Sequence, residues 1–227
     1  MLCSTGQFFG QAGGGSPPAP LSYSYEGMTN DDTNASSYSF SGASIGAANA
    51  SRVIAVAVIT ATGTPRTVSS VTLAGNAMTK GPEAVAGTSN QGCAAWFYLP
   101  VSSGTTATIA VTLSGVANSC AIVVYRLLPV SSTPIDTASA SGAPASSPLT
   151  DLEVKTSGLA LIAGIGGSGL TLTWNGADTP VHDLTNGAND SSRPTQAWSI
   201  PTTENNTTRD ATFATGTFAS VVGITFQ

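Results

Sequence analysis

The stretch "WFYLPVSSGTTATIAVTLSG" (Trp96–Gly115) reads as the end of one strand, a loop, and the whole of another strand. Ile109, Val111 and Leu113 occupy every second position, with Thr108, Ala110 and Thr112 between them. That period of two puts the large residues on one face and the hydroxyls on the other, as a half-buried β-strand requires. About a hundred residues on, the chain reads "WSIPTTENNTTRDATFATGT" (Trp198–Thr217). Both segments run from a Trp into a Pro, through a polar loop, to a Thr pair that opens an alternating strand. The chain carries the same pattern twice.

The duplication extends outward from these segments. In the first half, "RVIAVAVIT" (Arg52–Thr60) places Ile54, Val56 and Val58 alternately with Ala55 and Ala57. Its nearly continuous apolar character predicts a central strand covered on both faces. "VSSVTLAG", "AAWFYLP", "TATIAVTLSG" and "CAIVVYRL" follow, divided by turns such as Gly75-Asn76. After a Ser/Ala/Pro-rich connector from Ser131 to Pro148, the order returns as "LTDLEVK", "GLALIAGIG", "LTLTWNG", "QAWSIP", "RDATFATG" and "SVVGITF". Trp96 aligns with Trp198, Thr105-Thr106 with Thr207-Thr208, and "TLAGNA" (Thr72–Ala77) with "TWNGAD" (Thr173–Asp178). The pseudo-repeat halves run from about 38 to 130 and from 149 to 227.

A sheet that is apolar on one face needs a second layer. Two units of four to five strands folded against each other therefore predict an all-β fold. It is expected to be one antiparallel β-sandwich of jelly-roll type, built from two similar halves over residues 38–227, with two separate small domains of thin core as the alternative.

Composition agrees with that class. Charged residues are 8% of the 227, against roughly 25% in an average globular chain, while 41% are hydrophobic. The surface must then consist mainly of Ser, Thr, Asn and Gly, and the apolar fraction is enough for a core. A net charge of −5 with only two lysines, Lys80 and Lys155, argues against nucleic acid, which needs a basic stripe. No stretch reaches the ~18 apolar residues of a membrane span. The amino terminus lacks the basic and apolar regions of a secretory signal, so synthesis and assembly in the cytoplasm are expected. Cys3, Cys93 and Cys120 have no metal-ligand spacing; Cys93 and Cys120 abut apolar strands and read as small buried thiols.

Residues 1–37 differ from the rest. "GGGSPPAP" (Gly13–Pro20) joins a flexible run to a stiff one, with Phe8 and Phe9 before it and Tyr23 and Tyr25 after. With so few aliphatic residues, this segment cannot form its own core; it is expected to be an extended docking arm whose aromatics bury themselves in a neighbouring protein, with a free tail as the alternative.

Motifs for chemistry are weak. "GIGGSG" (Gly164–Gly169), with Asp183 beyond it, fits a dinucleotide pattern, but strand-like "LTLTW" follows where a helix is needed. His182 is the single histidine, between Asp178 and Asp183 in a Pro-containing loop, so no multi-histidine metal site exists. Glu83 and Glu204 are the candidates for a carboxylate pair in glycoside hydrolysis. "NDD" (Asn30–Asp32) and "NGANDSS" (Asn186–Ser192) lack an ordered calcium-loop pattern. The expectation is a non-enzyme with no cofactor and no metal.

"RVIAVAV", "SSVTLAGNAMT", "AWFYLPVSSGTTATIAVTLSG", "AIVVYRL" and "STPIDTASASG" together resemble a β-sandwich module of tailed-bacteriophage structural proteins, over roughly Arg52 to Gln227. The resemblance implies a surface-exposed virion component, made without a signal in the host cytoplasm. It would be a tail-tip, baseplate or fibre element aiding host attachment, or alternatively a capsid decoration protein or head fibre. Its partners would be other virion proteins, met through the arm, and further copies of itself on the particle. A lectin-like module binding host surface glycan is a further alternative, with Trp174 and Trp198 as the stacking residues.

Overall fold

The computed structural model describes residues 21–64, 66–86, 91–142, 149–166, 171–174, 182–183, 195–201, 207–214 and 219–227. Every regular element among them is a strand. The first nine are β1 (Ser22–Asp31), β2 (Ala35–Ser44), β3 (Val53–Thr62), β4 (Val68–Leu73), β5 (Asn76–Ala77), β6 (Thr79–Ala86), β7 (Gln91–Pro100), β8 (Thr106–Ala117) and β9 (Ser119–Leu128). They form two antiparallel sheets, in the orders β1-β9-β3-β7-β6 and β2-β8-β4-β5. Nested pairing of β1 with β9, β2 with β8 and β3 with β7 is that of a long hairpin rolled into a jelly roll.

The chain then repeats this course. β10 (Asp136–Gly142), β11 (Leu149–Val154), β12 (Leu159–Gly166), β13 (Thr171–Trp174), β14 (His182–Asp183), β15 (Thr195–Pro201), β16 (Thr207–Ala214) and β17 (Ala219–Phe226) follow. Their sheets have the orders β10-β17-β12-β15-β14 and β11-β16-β13. Strand for strand, β10 takes the place of β1, β12 that of β3, β15 that of β7 and β17 that of β9.

The expected antiparallel sandwich of two similar halves is present, with more layers than one sheet per half. Each half is itself two-layered, and the two five-stranded sheets pack face to face, so four sheets are stacked. β12 lies over β3 and β7, β17 over β7 and β6, and β10 over β6. The cause is visible in β3 and β12, which are buried at every residue. A sheet with two apolar faces must be covered twice.

Three cores result. In the first roll, Tyr38, Phe40, Ile54, Val56, Phe97, Ile109 and Val111 fill the space between its sheets. In the second, Leu149, Leu152, Ile162 and Val221 do so. Between the rolls lie Val53, Ala55, Ala57, Ile59, Trp96 and Tyr125 from one side and Leu159, Leu161, Ile165, Ile224 and Phe226 from the other. Each large side chain so buried contributes about 1.5–3 kcal/mol. Polar ties cross this seam: Trp96 Nε1 donates to Val222 O at 3.3 Å, and Ser220 Oγ to Gly92 O at 2.8 Å. A Cβ on Gly92 would stand 2.5 Å from Ile165 Cγ2, so glycine lets the rolls approach there.

Two boundaries move, and one alignment of the repeat shifts. Residues 22–37, read as part of the arm, contribute β1 and the start of β2. The connector 131–148, read as a linker, contains β10, so the second half begins near residue 136 rather than 149. Both strands are edge strands rich in Ser and short of large aliphatics, which is why they resemble linkers. The alignment of Trp96 with Trp198 is one residue out. Pro100 pairs with Val53 and Pro201 with Leu159, so Trp96 (opposite Ala57) corresponds to Ala197 (opposite Ala163). Trp198, opposite Ile162, corresponds to Phe97, opposite Val56. In a strand a one-residue slip exchanges the faces.

Candidate functional site

Among the described residues, those singled out in the sequence do not converge. Tyr23 and Tyr25, expected to dock onto a neighbour, sit in β1 opposite Leu127 and Tyr125, partly buried against the central core. The Tyr25 ring lies 5.7 Å from that of Tyr125. These two tyrosines are therefore packing residues of the fold, held there by the pairing of β1 with β9. Phe8 and Phe9 lie outside the described residues. Trp174 ends β13 opposite Ala211 in the outermost sheet, whereas Trp198 belongs to β15 in the inner sheet. The topology thus assigns the two tryptophans to different layers.

His182 pairs with Ser199 and Asp183 with Trp198 at the edge of the second roll's inner sheet. Gly164–Gly166 of the glycine-rich motif complete β12, and residues 167–170 lie outside the described residues. Glu83 has a structural partner set: its carboxylate accepts from the Val68 N–H at 2.7 Å and from Lys80 Nζ at 2.9 Å. Lys80 Nζ also donates to Val68 O at 2.8 Å, so the pair staples the inner sheet of the first roll to its outer sheet. Glu204 and residues 186–192 fall outside the described residues. In the "NDD" turn, Asp31 Oδ1 accepts from Thr33 Oγ1 at 2.7 Å and from its N–H at 2.9 Å. These bonds hold the Asp31 carboxyl below the usual range and mark a turn device.

Cys93 and Cys120 are free and buried. Both stand opposite Thr60, one on each side of β3, so two inter-strand spacings separate them. That is ~9.5 Å, beyond the reach of a disulfide. Burial first, and then the Glu83 charge, raises the Cys93 thiol pKa; burial and the Asp31 charge raise that of Cys120. Both thiols are accordingly inert.

The structure adds two features that sequence reading did not single out. The first is Arg52, 1% exposed at the mouth of β3. Its guanidinium donates only to backbone carbonyls: Nε to Val101 O at 2.8 Å, Nη2 to Ser103 O at 2.6 Å, and Nη1 to Ile45, Gly46 and Gly104 at 2.7–3.1 Å. Burial, and then Arg126, lowers its pKa, with Glu26 opposing. It is a plug that ties two loops to a strand end. The sequence signal was a charge abutting an apolar run.

The second feature is a cleft of about 470 Å³ where the two rolls meet. Lys80 and Pro82 of β6 and Tyr98 of β7 form one wall; Thr133, Asp136 and Thr137 form the other. Edge-on packing against Phe226, at 6.1 Å and 78°, fixes the Tyr98 ring. Asp136 is oriented by two backbone N–H donors, Thr137 at 2.7 Å and Glu153 at 2.8 Å. A second cleft, of about 480 Å³, opens at the Arg52 end beside Leu99 and the 101–104 loop.

Comparison of the chain with known protein families, curated proteins and solved structures finds no match.

Proposed function

We propose that this chain is a non-enzymatic, surface-exposed structural protein of a bacteriophage virion, a tail-tip, baseplate or fibre element that aids host attachment. The supporting observation is the pairing of a triple-layered apolar interior with a hydroxyl-covered exterior. On the outer sheet of the first roll, Ser37 and Ser70 flank Thr112, and all three are exposed. Thr108 and Ser39 extend the same surface. A rigid, weakly charged body with few lysine or arginine side chains suits long service outside the cell.

Since β1 belongs to the sandwich, the docking role falls to the residues before Leu21, where Phe8 and Phe9 lie. The partners on this reading are other virion proteins and further copies of the chain. The test is deletion of residues 1–20 in the encoding phage, with mass spectrometry and immunogold microscopy of purified particles. The wild-type chain is expected at the tail, and the truncated chain is expected to fold but not incorporate. Gold on the head would replace the tail assignment with a decoration protein or head fibre. Absence of the wild-type chain from particles would overturn the reading.

A further inference from the structure

We propose that the cleft between the two jelly rolls is a binding site for a neutral saccharide of one or two rings. Its volume, about 470 Å³, lies within the roughly 300–1,000 Å³ of small-molecule clefts, which occur preferentially where two globular units meet. A three-carbon polyol would leave most of that space empty.

The lining chemistry selects the ligand class. The two charged side chains at the rim of the cleft are turned away from it: Lys80 Nζ donates to Val68 O in the first roll's outer sheet, and the Asp136 carboxylate accepts the Glu153 N–H in the second roll's outer sheet. The hydroxyls of Tyr98 and Thr137 have no hydrogen-bond partner among the described residues and serve as donors or acceptors. Pro82, Pro134 and Ile135, with the Tyr98 ring, supply the apolar surface on which a sugar's C–H face rests.

An anionic ligand is disfavoured, because the Lys80 ammonium is turned to the first roll's outer sheet and matched there by Glu83 at 2.9 Å. An apolar ligand is disfavoured by the Tyr98 and Thr137 hydroxyls it would desolvate. Neutral molecules dense in hydroxyls satisfy both limits. The walls are also stiff: two prolines contribute, and Gly81 fits closely, since a Cβ there would stand 3.1 Å from Trp96 O. Preorganisation of this kind lowers the entropic cost of binding.

This inference goes beyond the virion reading and does not rest on it. The test is titration of the full-length ¹⁵N-labelled chain with glucose, galactose, N-acetylglucosamine and their disaccharides at millimolar concentrations, followed by NMR. At least one sugar is expected to shift the amides of Lys80, Gly81, Tyr98 and Thr137 with a single saturating Kd. Tyr98→Phe, which keeps the packing on Phe226, and Thr137→Val should each weaken that Kd roughly 3- to 10-fold, as loss of one hydrogen bond predicts. Thr108→Val, on the far sheet, should leave it unchanged. The site is overturned if no sugar shifts these amides saturably, or if Tyr98→Phe and Thr137→Val bind as the wild type does. A chain that enters particles but binds no sugar overturns the site alone. A chain that binds sugar but never enters particles overturns the virion reading alone.

Discussion

β3 and β12 hold the same place in their rolls, yet their alternation is inverted where Ile54-Ala55 of one answers Ala160-Leu161 of the other. β3 sends Ile54, Val56 and Val58 into its own roll and Val53, Ala55, Ala57, Ile59 and Ala61 toward its sister. β12 sends Leu159, Leu161, Ala163 and Ile165 toward the sister and Ala160 and Ile162 into its own roll. An alanine-rich face thus meets a leucine-rich one. The large Trp96 and Tyr125 stand opposite Ala57 and Ala55 and fill the remaining gaps. The two facing surfaces are thus unlike rather than copies of one another. The strand mouths differ as well. Arg52 precedes Val53 in the first roll, and Gly158 precedes Leu159 in the second, where a Cβ would stand 2.7 Å from Phe226 O. One roll is closed by a buried cation and the other by a tight turn.

If the shared core makes the rolls one cooperative unit, damage far from the seam should melt both. Ile109→Asp puts an unpaired carboxylate into the first roll's outer core, where Ile109 is fully buried. The expected loss is on the order of 5 kcal/mol or more, enough to abolish folding. Thr108→Asp, one residue away and exposed, should change stability by about 0.5 kcal/mol or less. Hydrogen exchange on the Ile109→Asp chain decides the point. Protection retained across β12 and β17 would mean that the second roll stands alone. Next in size is Arg52→Ala, which strips the donors from five carbonyls and should cost about 3–5 kcal/mol by denaturant unfolding. A loss under about 1 kcal/mol would mean that water replaces the guanidinium and that the contrast with Gly158 is incidental.

Those predictions rest on features of unequal legibility. The alternation of Ile109, Val111 and Leu113 is a local property, and it appears in the structure as read, with Thr108 and Thr112 exposed. Burial of β3 on both faces was equally plain from "VIAVAVIT". What the second face packs against was not, because that depends on residues more than a hundred positions away. β1 and β10 escaped notice because edge strands require only a partner's hydrogen bonds, and "DTASASG" carries no large side chain to mark a period. The Trp alignment failed because chemical likeness was matched where strand register decides the face. The cleft joins β6 to a segment some fifty residues on, so Tyr98 and Asp136 had no signal linking them.

The inverted alternation has its own test, of intermediate size. Leu161→Ala removes a fully buried side chain from the leucine-rich face and should cost about 2–5 kcal/mol, the range for cavity-forming changes. The cavity would lie against the alanines of β3. Ala57→Leu on its own should overpack the seam by about 1–3 kcal/mol. If the faces are complementary, the double variant should recover part of both losses in a double-mutant cycle. Strict additivity would show that the two positions do not share a space.

The smallest effect separates the rolls by chemistry rather than packing. Cys93 and Cys120 both belong to the first roll, Ala219 stands in the second where Cys120 stands in the first, and no cysteine follows residue 120. Burial raises both thiol pKa values in the folded chain, while an unfolded thiol titrates near about 8.5. Below that pH both states keep their protons, and the stabilisation from neutral thiols is complete. As pH rises past it, the unfolded chain releases protons that the folded chain retains, so stability must fall. The slope approaches about 1.4 kcal/mol per pH unit for each thiol. Tyr25 and Tyr38, also raised by burial, add a similar loss only above ~10, the ordinary tyrosine value. Urea midpoints between pH 8 and 10 should therefore drop for the wild type and stay nearly level in Cys93→Ala/Cys120→Ala. An equal decline in both proteins would place the alkaline sensitivity outside these thiols, and the first roll would lose its chemical distinction from the second.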